Sequence, residues 1–368
     1  MADRVYKMLF GSDDCVEGIC KHNRWHPDIA PALRINPGDI VEMQTRDASD
    51  GQIRDSMTVA DLADYRGGRV HPLTGPIYIE GAQPGDLLEV TIMNIVADDH
   101  AFTATFPGRG FMPDLFPDPI LVHWDIEHGW ATSRQIPGVR IPGAPFMGTI
   151  GVAPSLDRLR SVNERERRAQ EAGASVMLPM TTDALPADPA IANEAWRTIA
   201  AHEVGGNMDI RQLVVGAKVY FPVDIPGALF SVGDAHFCQG DGETCGTAVE
   251  MGAHFTARFD LLKDEARARR QSNPTFTTCV DSGSLMASAG YFGTTALSVS
   301  DGVVSPMNAS LAARNAVGMM IDFLVHEYDL SREQAYILAS VAGDLSISSI
   351  VNWPHAQVSM LMPRAIFQ

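Results

Sequence analysis

The first 100 residues alternate between short apolar runs and turns, which is the pattern of β-strands. Pro37–Asp39 and Pro84–Asp86 are both Pro-Gly-Asp, and each is followed by two apolar residues and a glutamate. Proline presets φ and glycine tolerates positive φ, so both segments predict turns that lead into strands. A fainter copy of this pattern lies within Ile225–Phe237. The recurrence favours a sandwich or barrel built from similar hairpins.

In the last third of the chain the pattern of apolar and polar residues changes, and both helices and strands are predicted. Val249–Leu262 alternates like a strand, whereas Ala309–Tyr328 carries a broad apolar stripe at helical spacing. Ser331 with Gln334 three residues later forms a capping box, which predicts the start of a second helix. Leu345–Val351 and Gln357–Phe367 are two further strand candidates. The predicted fold class is therefore mainly β, with a β-sandwich or barrel-like body and a smaller C-terminal α+β portion.

These patterns suggest a division of the chain. We expect residues 1–245 to form the mainly β body that carries the site motifs. Residues 246–368 would form the α+β portion and complete the same fold. Within the first part, the charged segment Leu156–Ala172 has the composition of a solvated surface helix.

Composition narrows the class of partner. The 368-residue chain has 45 acidic and 28 basic residues and a net charge of −17, which argues against a nucleic-acid partner because phosphate binding requires basic patches. No apolar run reaches the length of a membrane span, so no membrane partner is expected. The first residues lack a signal-peptide core, and the expected location is cytoplasmic. No pair of the five cysteines has C-x-x-C spacing, which disfavours a cysteine-based zinc site.

Polar side chains with metal-ligand chemistry occur in pairs within two glycine-rich stretches. The pairs are Asn207 and Asp209, Asp234 and His236, and Asp241 and Glu243. In an extended strand, residues i and i+2 share a face, so each pair could direct two ligand atoms to one point. A histidine with aspartate and amide oxygens suits zinc, whereas a site dominated by oxygen atoms suits calcium. Asx turns, in which the side chain bonds to its own backbone, are the alternative explanation.

Two nucleophile-based alternatives remain open in the sequence. Cys238 lies between the acid pairs, and a cysteine amidase would also need a buried lysine, for which Lys218 is the nearby candidate. The serine-rich stretch Asp281–Gly290 matches the serine loop of serine–serine–lysine amidases poorly. His71 precedes a proline turn and could reach a pocket. A dinucleotide or phosphate-loop fingerprint is absent from the sequence.

Six segments, spread in order from His22 to Phe367, together resemble the acetamidase/formamidase family. They are HNRWHPDIAPALRINPGDIVEMQTRDASDGQI, HPLTGPIYIEGAQPGDLLEV, PGAPFMGTIGVAPS, GGNMD, SVGDAHFCQGDGE and MPRAIF. The resemblance implies hydrolysis of a small-molecule amide to a carboxylic acid and ammonia by a homo-oligomer that contains a divalent metal. Some members of this family are described as γ-lactamases, so the resemblance also implies a cyclic amide as a second possible substrate class.

The resemblance and the spacing together define the expected site. The metal ligands would be Asn207, Asp209, Asp234 and His236, with zinc favoured and calcium as the other option. The acid–base candidates are Glu243, Asp241 and Glu250, and the substrate-binding candidates are His71, Gly205 and Gly206. The expected mechanism is attack by metal-activated water, with Glu243 as the preferred base and the backbone amides of the two glycines at the oxyanion. A metal-free cysteine amidase and a non-catalytic protein stabilised by metal are the alternatives.

Overall fold

The structure is a computed structural model that describes residues 4–9, 20–278 and 290–368. All of the serine-rich stretch except Gly290 lies outside these ranges. The strands are β1 (Val5–Met8), β2 (Lys21–His22), β3 (Arg24–Trp25), β4 (Leu33–Ile35), β5 (Ile40–Thr45), β6 (Leu73–Ile79), β7 (Leu87–Thr105), β8 (Ile120–Glu127), β9 (Trp130–Ser133), β10 (Ile136–Pro142), β11 (Phe146–Gly151), β12 (Trp196–Arg197), β13 (Ala201–His202), β14 (Gly205–Asn207), β15 (Lys218–Pro222), β16 (Phe230–His236), β17 (Glu250–Leu262), β18 (Thr275–Thr277), β19 (Tyr291–Leu297), β20 (Val299–Ser300), β21 (Val303–Val304), β22 (Asp344–Ser349) and β23 (Gln357–Pro363). The helices are α1 (Leu156–Glu171), α2 (Pro189–Ala192), α3 (Glu265–Arg269), α4 (Ala309–Tyr328) and α5 (Arg332–Val341), with 3₁₀ turns at Val59–Asp64 and Arg364–Ile366.

One large sheet organises the molecule and confirms the mainly β prediction. Its main path runs β10-β9-β8-β7-β17-β16-β11-β14-β13, and further strands, β5 and β6 among them, pair alongside. The long strands β7 and β17 pair in antiparallel fashion from Leu87 opposite Leu262 to Phe102 opposite Glu250. Register shifts interrupt this ladder twice, and such bulges bend a strand and increase its twist. Strand β17 follows residue 246, so the C-terminal part of the chain contributes to the centre of this sheet.

The two Pro-Gly-Asp segments are turns, as predicted. Gly38 has φ 97° and Gly85 has φ 104°, values that a side chain disfavours. Asp39 Oδ2 accepts a hydrogen bond from the backbone N–H three residues earlier at 2.8 Å, and Asp86 Oδ2 makes the equivalent bond at 2.8 Å. Glycine and aspartate therefore have separate roles: the first allows the backbone to reverse, and the second satisfies a donor in the turn.

The C-terminal layer consists of α4, α5 and the three-stranded sheet β19-β23-β22. Helix α4 begins after Asn308, whose side chain accepts from the Leu311 N–H, and α5 begins with the capping box of Ser331 and Gln334. The buried positions of α4 are Ala312, Ala316, Val317, Met320, Ile321 and Leu324. Their spacing is the helical stripe expected from the sequence. None of the helices in the described ranges has the length and apolarity needed to cross a membrane.

Helix α5 packs against two loops of the main body through one buried tyrosine. The Tyr336 hydroxyl accepts hydrogen bonds from the Phe111 and Met112 N–H groups, both at 3.1 Å, and donates to the Thr244 carbonyl. Its ring stacks on Phe116 with a centroid separation of 4.1 Å. One hydroxyl therefore satisfies three backbone groups from two separate loops.

A buried serine on the same helix holds the second of these loops. The backbone carbonyl of Ser340 accepts from the Gly240 N–H at 2.8 Å, and its hydroxyl accepts from the Cys245 N–H at 3.1 Å. The hydroxyl also donates to the Thr247 carbonyl at 2.8 Å. The C-terminal layer thus fixes both ends of the segment 240–247, which contains one of the predicted acid pairs.

Removal of the Tyr336 hydroxyl is predicted to destabilise the protein measurably. Tyr336→Phe keeps the ring stack but leaves the buried Met112 N–H without its acceptor, whereas the Phe111 N–H and the Thr244 carbonyl keep their bond to each other at 2.9 Å. The free energy of unfolding should therefore fall by about 1–3 kcal/mol. Urea unfolding followed by circular dichroism measures the change. Tyr291→Phe is the matched control, because that ring is 37% exposed. Equal stability of the two variants would contradict this role of the hydroxyl.

Candidate active site

Four neighbouring strands of the main sheet bring the predicted side chains together. Strand β11 pairs with β14, where Thr149 lies opposite Asn207, and with β16, where Phe146 lies opposite His236. On its other edge β16 pairs with β17, and His236 lies opposite Glu250. Residues that are more than 40 positions apart in sequence therefore project from adjacent strands to one region.

An acid–imidazole cluster occupies this region. We call Asp209, Asp234, His236, Glu243 and Glu250 the His236 cluster. His236 Nε2 lies 3.2 Å from Glu250 Oε2 and 3.6 Å from Asp234 Oδ1. Two sets of side chains have ligand atoms that all lie within 4.8 Å of one another and could hold a metal ion. These sets are Asp209, Asp234 and His236, and His236, Glu243 and Glu250.

Left-handed backbone conformations direct three of the acids into the cluster. Asp209 has φ 50°, Asp234 has φ 58° and Glu243 has φ 42°. Such values are uncommon outside glycine and concentrate at functional sites. Strand β14 ends at Asn207, so Asp209 lies in the following loop, where its N–H donates to the Gly148 carbonyl at 3.2 Å. Asp234 and His236 do lie on one strand, β16, as the spacing assumed, although Asp234 departs from extended geometry.

A neighbouring glutamine determines which nitrogen of the imidazole faces the acids. Gln239 Nε2 donates to the Asp209 carbonyl at 3.1 Å, which leaves Gln239 Oε1 to accept from His236 Nδ1 at 2.9 Å. The Nδ1 proton is thereby committed, and Nε2 points toward the carboxylates. Gln239 was not among the residues predicted from the sequence, although it lies only three positions after His236.

A threonine missed by the sequence analysis links three of the predicted residues. The Thr149 hydroxyl lies 2.8 Å from Asn207 Oδ1, 3.0 Å from Asp234 Oδ2 and 3.4 Å from His71 Nδ1. Asn207 Nδ2 donates to the Ile199 carbonyl at 3.2 Å, so the orientation of its amide is fixed. Thr149 therefore positions one cluster acid and two polar side chains beside it.

Burial and crowding of charge set the protonation of the aspartates. Burial raises the pKa of Asp209 to about 7, with His236 opposing and the neighbouring Asp234 adding to the shift. Burial acts in the same direction on Asp234, but electrostatic attraction to His71 and His236 holds its pKa well below the usual range. The two aspartates thus differ in protonation near neutral pH, a division typical of functional sites.

The pKa values of the other three groups in the cluster, His236, Glu243 and Glu250, are all raised. Burial opposes the charged form of His236, yet Glu250 and Asp234 raise its pKa well above the usual value. Burial is also the main reason that the pKa values of Glu243 and Glu250 are raised, with Asp209 adding to the shift of Glu243. One imidazolium cannot neutralise four nearby carboxyl groups, so the cluster retains protons or attracts a cation.

The cluster residues fit a divalent metal on three observations. Asp209 Oδ1, Asp234 Oδ1 and Glu250 Oε2 are buried and accept no hydrogen bond within the described parts of the chain. A β-carbon at Gly148 would lie 2.7 Å from His236 Cε1, 2.8 Å from Asp209 Oδ1 and 2.9 Å from Asp234 Oδ2. The space around Gly148 is therefore bordered by donor atoms. An imidazole with carboxylates is a donor set typical of zinc and similar divalent ions.

A cavity of about 370 Å³ opens above the cluster. Asp234, Glu243 and Glu250 contribute to its lining, together with His71 and Asn207. The other lining residues are Ala48, Tyr65, Gly67, Val70, Phe102, Ala104, Phe106, Arg109, Gly110, Met177, Arg197, Ile199, Cys245, Gly246 and Thr247. An apolar wall with a few convergent polar groups is the usual composition of a small-molecule site.

Two predicted substrate-binding residues lie elsewhere. Gly205 and Gly206 have φ 100° and 106° and pair with β11 inside the sheet. A β-carbon at Gly205 would lie 2.5 Å from the Ile150 carbonyl, and one at Gly206 would lie 2.8 Å from the Ala200 carbonyl. Close approach of backbones explains these glycines, and neither is among the described residues that line the cavity.

Asp241 is also placed apart from the cluster, although it is only two residues from Glu243. Its N–H donates to Asp344 Oδ1 at 3.1 Å, and its carboxylate accepts from Gln212 Nε2 at 3.5 Å. The segment is a loop, so i and i+2 do not share a face here. Asp241 therefore contacts the C-terminal layer, and Glu243 reaches the cavity.

The geometry disfavours a cysteine nucleophile. Burial raises the pKa of the Cys238 thiol to about 12, and Cys238 is not one of the described cavity residues. Lys218 lies on β15 and forms an ion pair with Glu89. A thiolate activated by a buried lysine therefore has no support in this arrangement.

A buried acid–base cluster with strongly shifted pKa values, beneath a cavity of small-molecule size, is the arrangement of an enzyme active site. Residues 14–368 match the Acetamidase/Formamidase family. The chain is 33% identical to an acetamidase of Mycolicibacterium smegmatis over 93% of this chain and 89% of that protein. It is 34% identical to a formamidase of Methylophilus methylotrophus over 94% of this chain and 89% of that protein.

The fold is also similar to that of a solved structure. The gamma lactamase from Delftia acidovorans is 32% identical and superposes with a TM-score of 0.91, covering 99% of this chain and 93% of the lactamase. The chain therefore belongs to the acetamidase/formamidase family, as its motifs predicted. Membership makes it a hydrolase of carbon–nitrogen bonds other than peptide bonds.

Replacement of Gly148 tests whether the cluster needs the space beside it. Gly148→Ala places a methyl group within 2.9 Å of His236, Asp209 and Asp234, so amide hydrolysis should fall at least 100-fold. Ammonia release from acetamide measures the change. Gly318→Ala in α4 is the matched control, because its methyl group would contact only Met112 at an ordinary 3.8 Å. Full activity of a folded Gly148→Ala protein would show that the space is not required.

Proposed function

We propose that this protein hydrolyses a small amide to a carboxylic acid and ammonia, with water as the nucleophile. The supporting observation is the His236 cluster: Asp234, Glu243 and Glu250 line the cavity, and three buried carboxylate oxygens of the cluster accept no hydrogen bond from the described residues. The acetamidase and formamidase relatives support the reaction class. A water nucleophile also agrees with the other side chains of the cavity: burial raises the pKa of the Cys245 thiol to about 11, and no described lysine lines the cavity.

Asp209, Asp234 and His236 would hold a divalent metal, with zinc favoured by the mixture of imidazole and carboxylate donors. Such an ion, when bound, lowers the pKa of water and polarises a carbonyl group. The protein determines the arrangement of the donors: Gln239 fixes the His236 tautomer, and Thr149 holds Asp234. A positive charge at this point would also favour ionisation of the neighbouring carboxyl groups.

Glu243 is the proposed general base. It lines the cavity, and no described residue donates a hydrogen bond to its carboxylate, so its oxygens are available to a water molecule. Glu250 is more constrained, because its Oε1 accepts from the Ala248 N–H at 2.8 Å and its Oε2 faces His236. Glu243 would take a proton from the attacking water and then deliver it to the amide nitrogen, which must leave as ammonia.

Asn207 and His71 would orient the amide. Both line the cavity next to Asp234, and hydrogen bonds to Ile199 and Thr198 hold their side chains in place. His71 keeps the substrate-binding role predicted from the sequence, whereas Asn207, predicted there as a metal ligand, is proposed here to contact the substrate in place of the two glycine amides. Polar groups fixed in advance stabilise developing charge without reorganisation.

A cyclic amide is the second candidate substrate. The observation that favours it is the TM-score of 0.91 with a protein described as a gamma lactamase. Ring opening of a lactam uses the same water attack and proton transfer, but the amine stays attached to the product. Ammonia release from acetamide and formamide, compared with ring opening of a γ-lactam, distinguishes the two. Absence of both reactions would leave a non-catalytic metal-binding protein.

Activity is predicted to require the metal. Treatment with a chelator should abolish ammonia release from acetamide, and Zn²⁺ should restore it, since Asp209, Asp234 and His236 form a ligand set that suits this ion. His236→Ala should lower the bound metal, measured by elemental analysis, together with turnover. His128→Ala is the control, because that side chain is 89% exposed. Full turnover by protein shown to be free of metal would contradict this mechanism.

Glu243→Gln tests the base separately from the metal. The substitution preserves shape but removes the basic carboxylate, so kcat for acetamide should fall about 100-fold or more while metal content stays unchanged. Asp241→Asn makes the same chemical change in the same loop, on a side chain that contacts Gln212, and should retain activity. A Glu243→Gln protein with near wild-type kcat would transfer the role of base to Glu250.

A further inference from the structure

Two arginines line the same cavity as the His236 cluster. Arg109 is exposed in the loop after β7, and Arg197 on β12 is partly buried. The cluster acids Asp234 and Glu250 are each only 2% exposed. The acids therefore occupy the inner end of the cavity, and Arg109 lies at its opening.

Among the described residues, the side chain that both guanidinium groups contact is a methionine. Arg109 Nη1 lies 3.7 Å from Met177 Sδ, and Arg197 Nη1 lies 3.4 Å from the same sulfur. A thioether is a weak hydrogen-bond acceptor and carries no charge. Across the described ranges neither arginine forms an ion pair, although the chain has a net charge of −17. Two cations therefore converge on one neutral atom.

The surroundings of Arg197 increase this excess of positive charge. Its cross-strand neighbour on β3 is Arg24, which is fully buried and donates to the Met180 and Thr182 carbonyls. Like charges directly opposite in a sheet are destabilising. Arg197 Nη2 donates to the Gly67 carbonyl, but its buried Nε has no acceptor within the described residues. Burial and the neighbouring Arg109 both lower the pKa of Arg197, as expected for a cation without an anionic partner.

We propose that the substrate is an amide that also carries a carboxylate, which binds between Arg109 and Arg197 while the amide reaches the His236 cluster. This inference rests on the proposed function and names a substrate class for it. A guanidinium presents a planar set of donors that matches a carboxylate, and charge-assisted bonds of this kind are strong. A neutral amide such as acetamide would leave both arginines unpaired.

The size of the cavity agrees with such a substrate. Its volume of about 370 Å³ is within the range of about 300–1,000 Å³ that is typical of sites for larger organic ligands. Formamide and acetamide, with three and four non-hydrogen atoms, would fill only a small part of it. A monoamide of a dicarboxylic acid has the two required groups at its opposite ends.

The test compares monoamides of malonic, succinic and glutaric acids with the corresponding diamides. Each pair has the same shape but differs in one negative charge, and the series varies the separation of amide and carboxylate. For at least one length, kcat/KM for the monoamide should exceed that for the diamide by about 10-fold or more. In Arg109→Gln and Arg197→Gln this ratio should fall toward one. Arg134→Gln, an exposed arginine between β9 and β10, should keep the wild-type ratio.

Two results would overturn the proposal. One is a wild-type ratio of one or less at every length, and the other is a ratio that persists in both cavity variants. A fall in either variant supports the proposal, and because Arg109 is exposed, its variant does not depend on tolerance of a buried change. If acetate inhibits in an Arg109-dependent manner while the monoamides show no preference, the arginines bind the released product, and the proposal fails.

Binding separates this inference from the proposed function. If the protein releases ammonia from no amide, the proposed function fails, and calorimetric titration with succinamate and succinamide then tests anion recognition alone. Tighter binding of succinamate by about 10-fold, lost in Arg109→Gln, would support recognition of the carboxylate. Equal affinity for the two compounds would refute it.

Discussion

The position of the His236 imidazole among buried carboxyl groups is the constraint that the site depends on. Asp234 and Glu250 lie within 3.6 Å and 3.2 Å of its Nε2, and Asp209 and Glu243 complete the cluster. Buried charges are tolerated only when they are paired, protonated or bound to metal. The raised pKa values of three acids and the buried unpartnered oxygens are two consequences of this same imbalance. This excess of buried negative charge is the property that suits the cluster to binding a cation.

The second condition for this cluster is a glycine at two positions where a side chain would not fit. Gly148 leaves the space that the donor atoms surround, and Gly240 brings the following loop against the C-terminal layer, where a β-carbon would lie 2.0 Å from the Gly343 carbonyl. Ser340 and Tyr336 of α5 then hold that loop by hydrogen bonds. The C-terminal layer therefore takes part in the site without contributing a group to the chemistry: it fixes the segment from which Glu243 reaches the cavity.

Local patterns were sufficient where structure depends on local interactions. The turns at Pro37–Asp39 and Pro84–Asp86, helix α4 and the capping box of α5 were predicted correctly, because side-chain spacing and φ preferences determine them within a few residues. The pairing of Asp234 with His236 also followed, because both lie on one strand. For Asp241 and Glu243 the same argument failed, since their segment is a loop held by contacts to Asp344 and Ser340.

The sequence by itself determined the family, the mainly β class and most of the residues of the cluster, because motif identity and side-chain chemistry are properties of short segments. Tertiary structure alone decided that Gln239 and Thr149 orient the cluster and that Gly148 leaves space for it. It also decided that Arg109 and Arg197, 88 positions apart, line one cavity with the acids. These relationships depend on strand order and register, which join distant segments and leave no periodic signal in the chain.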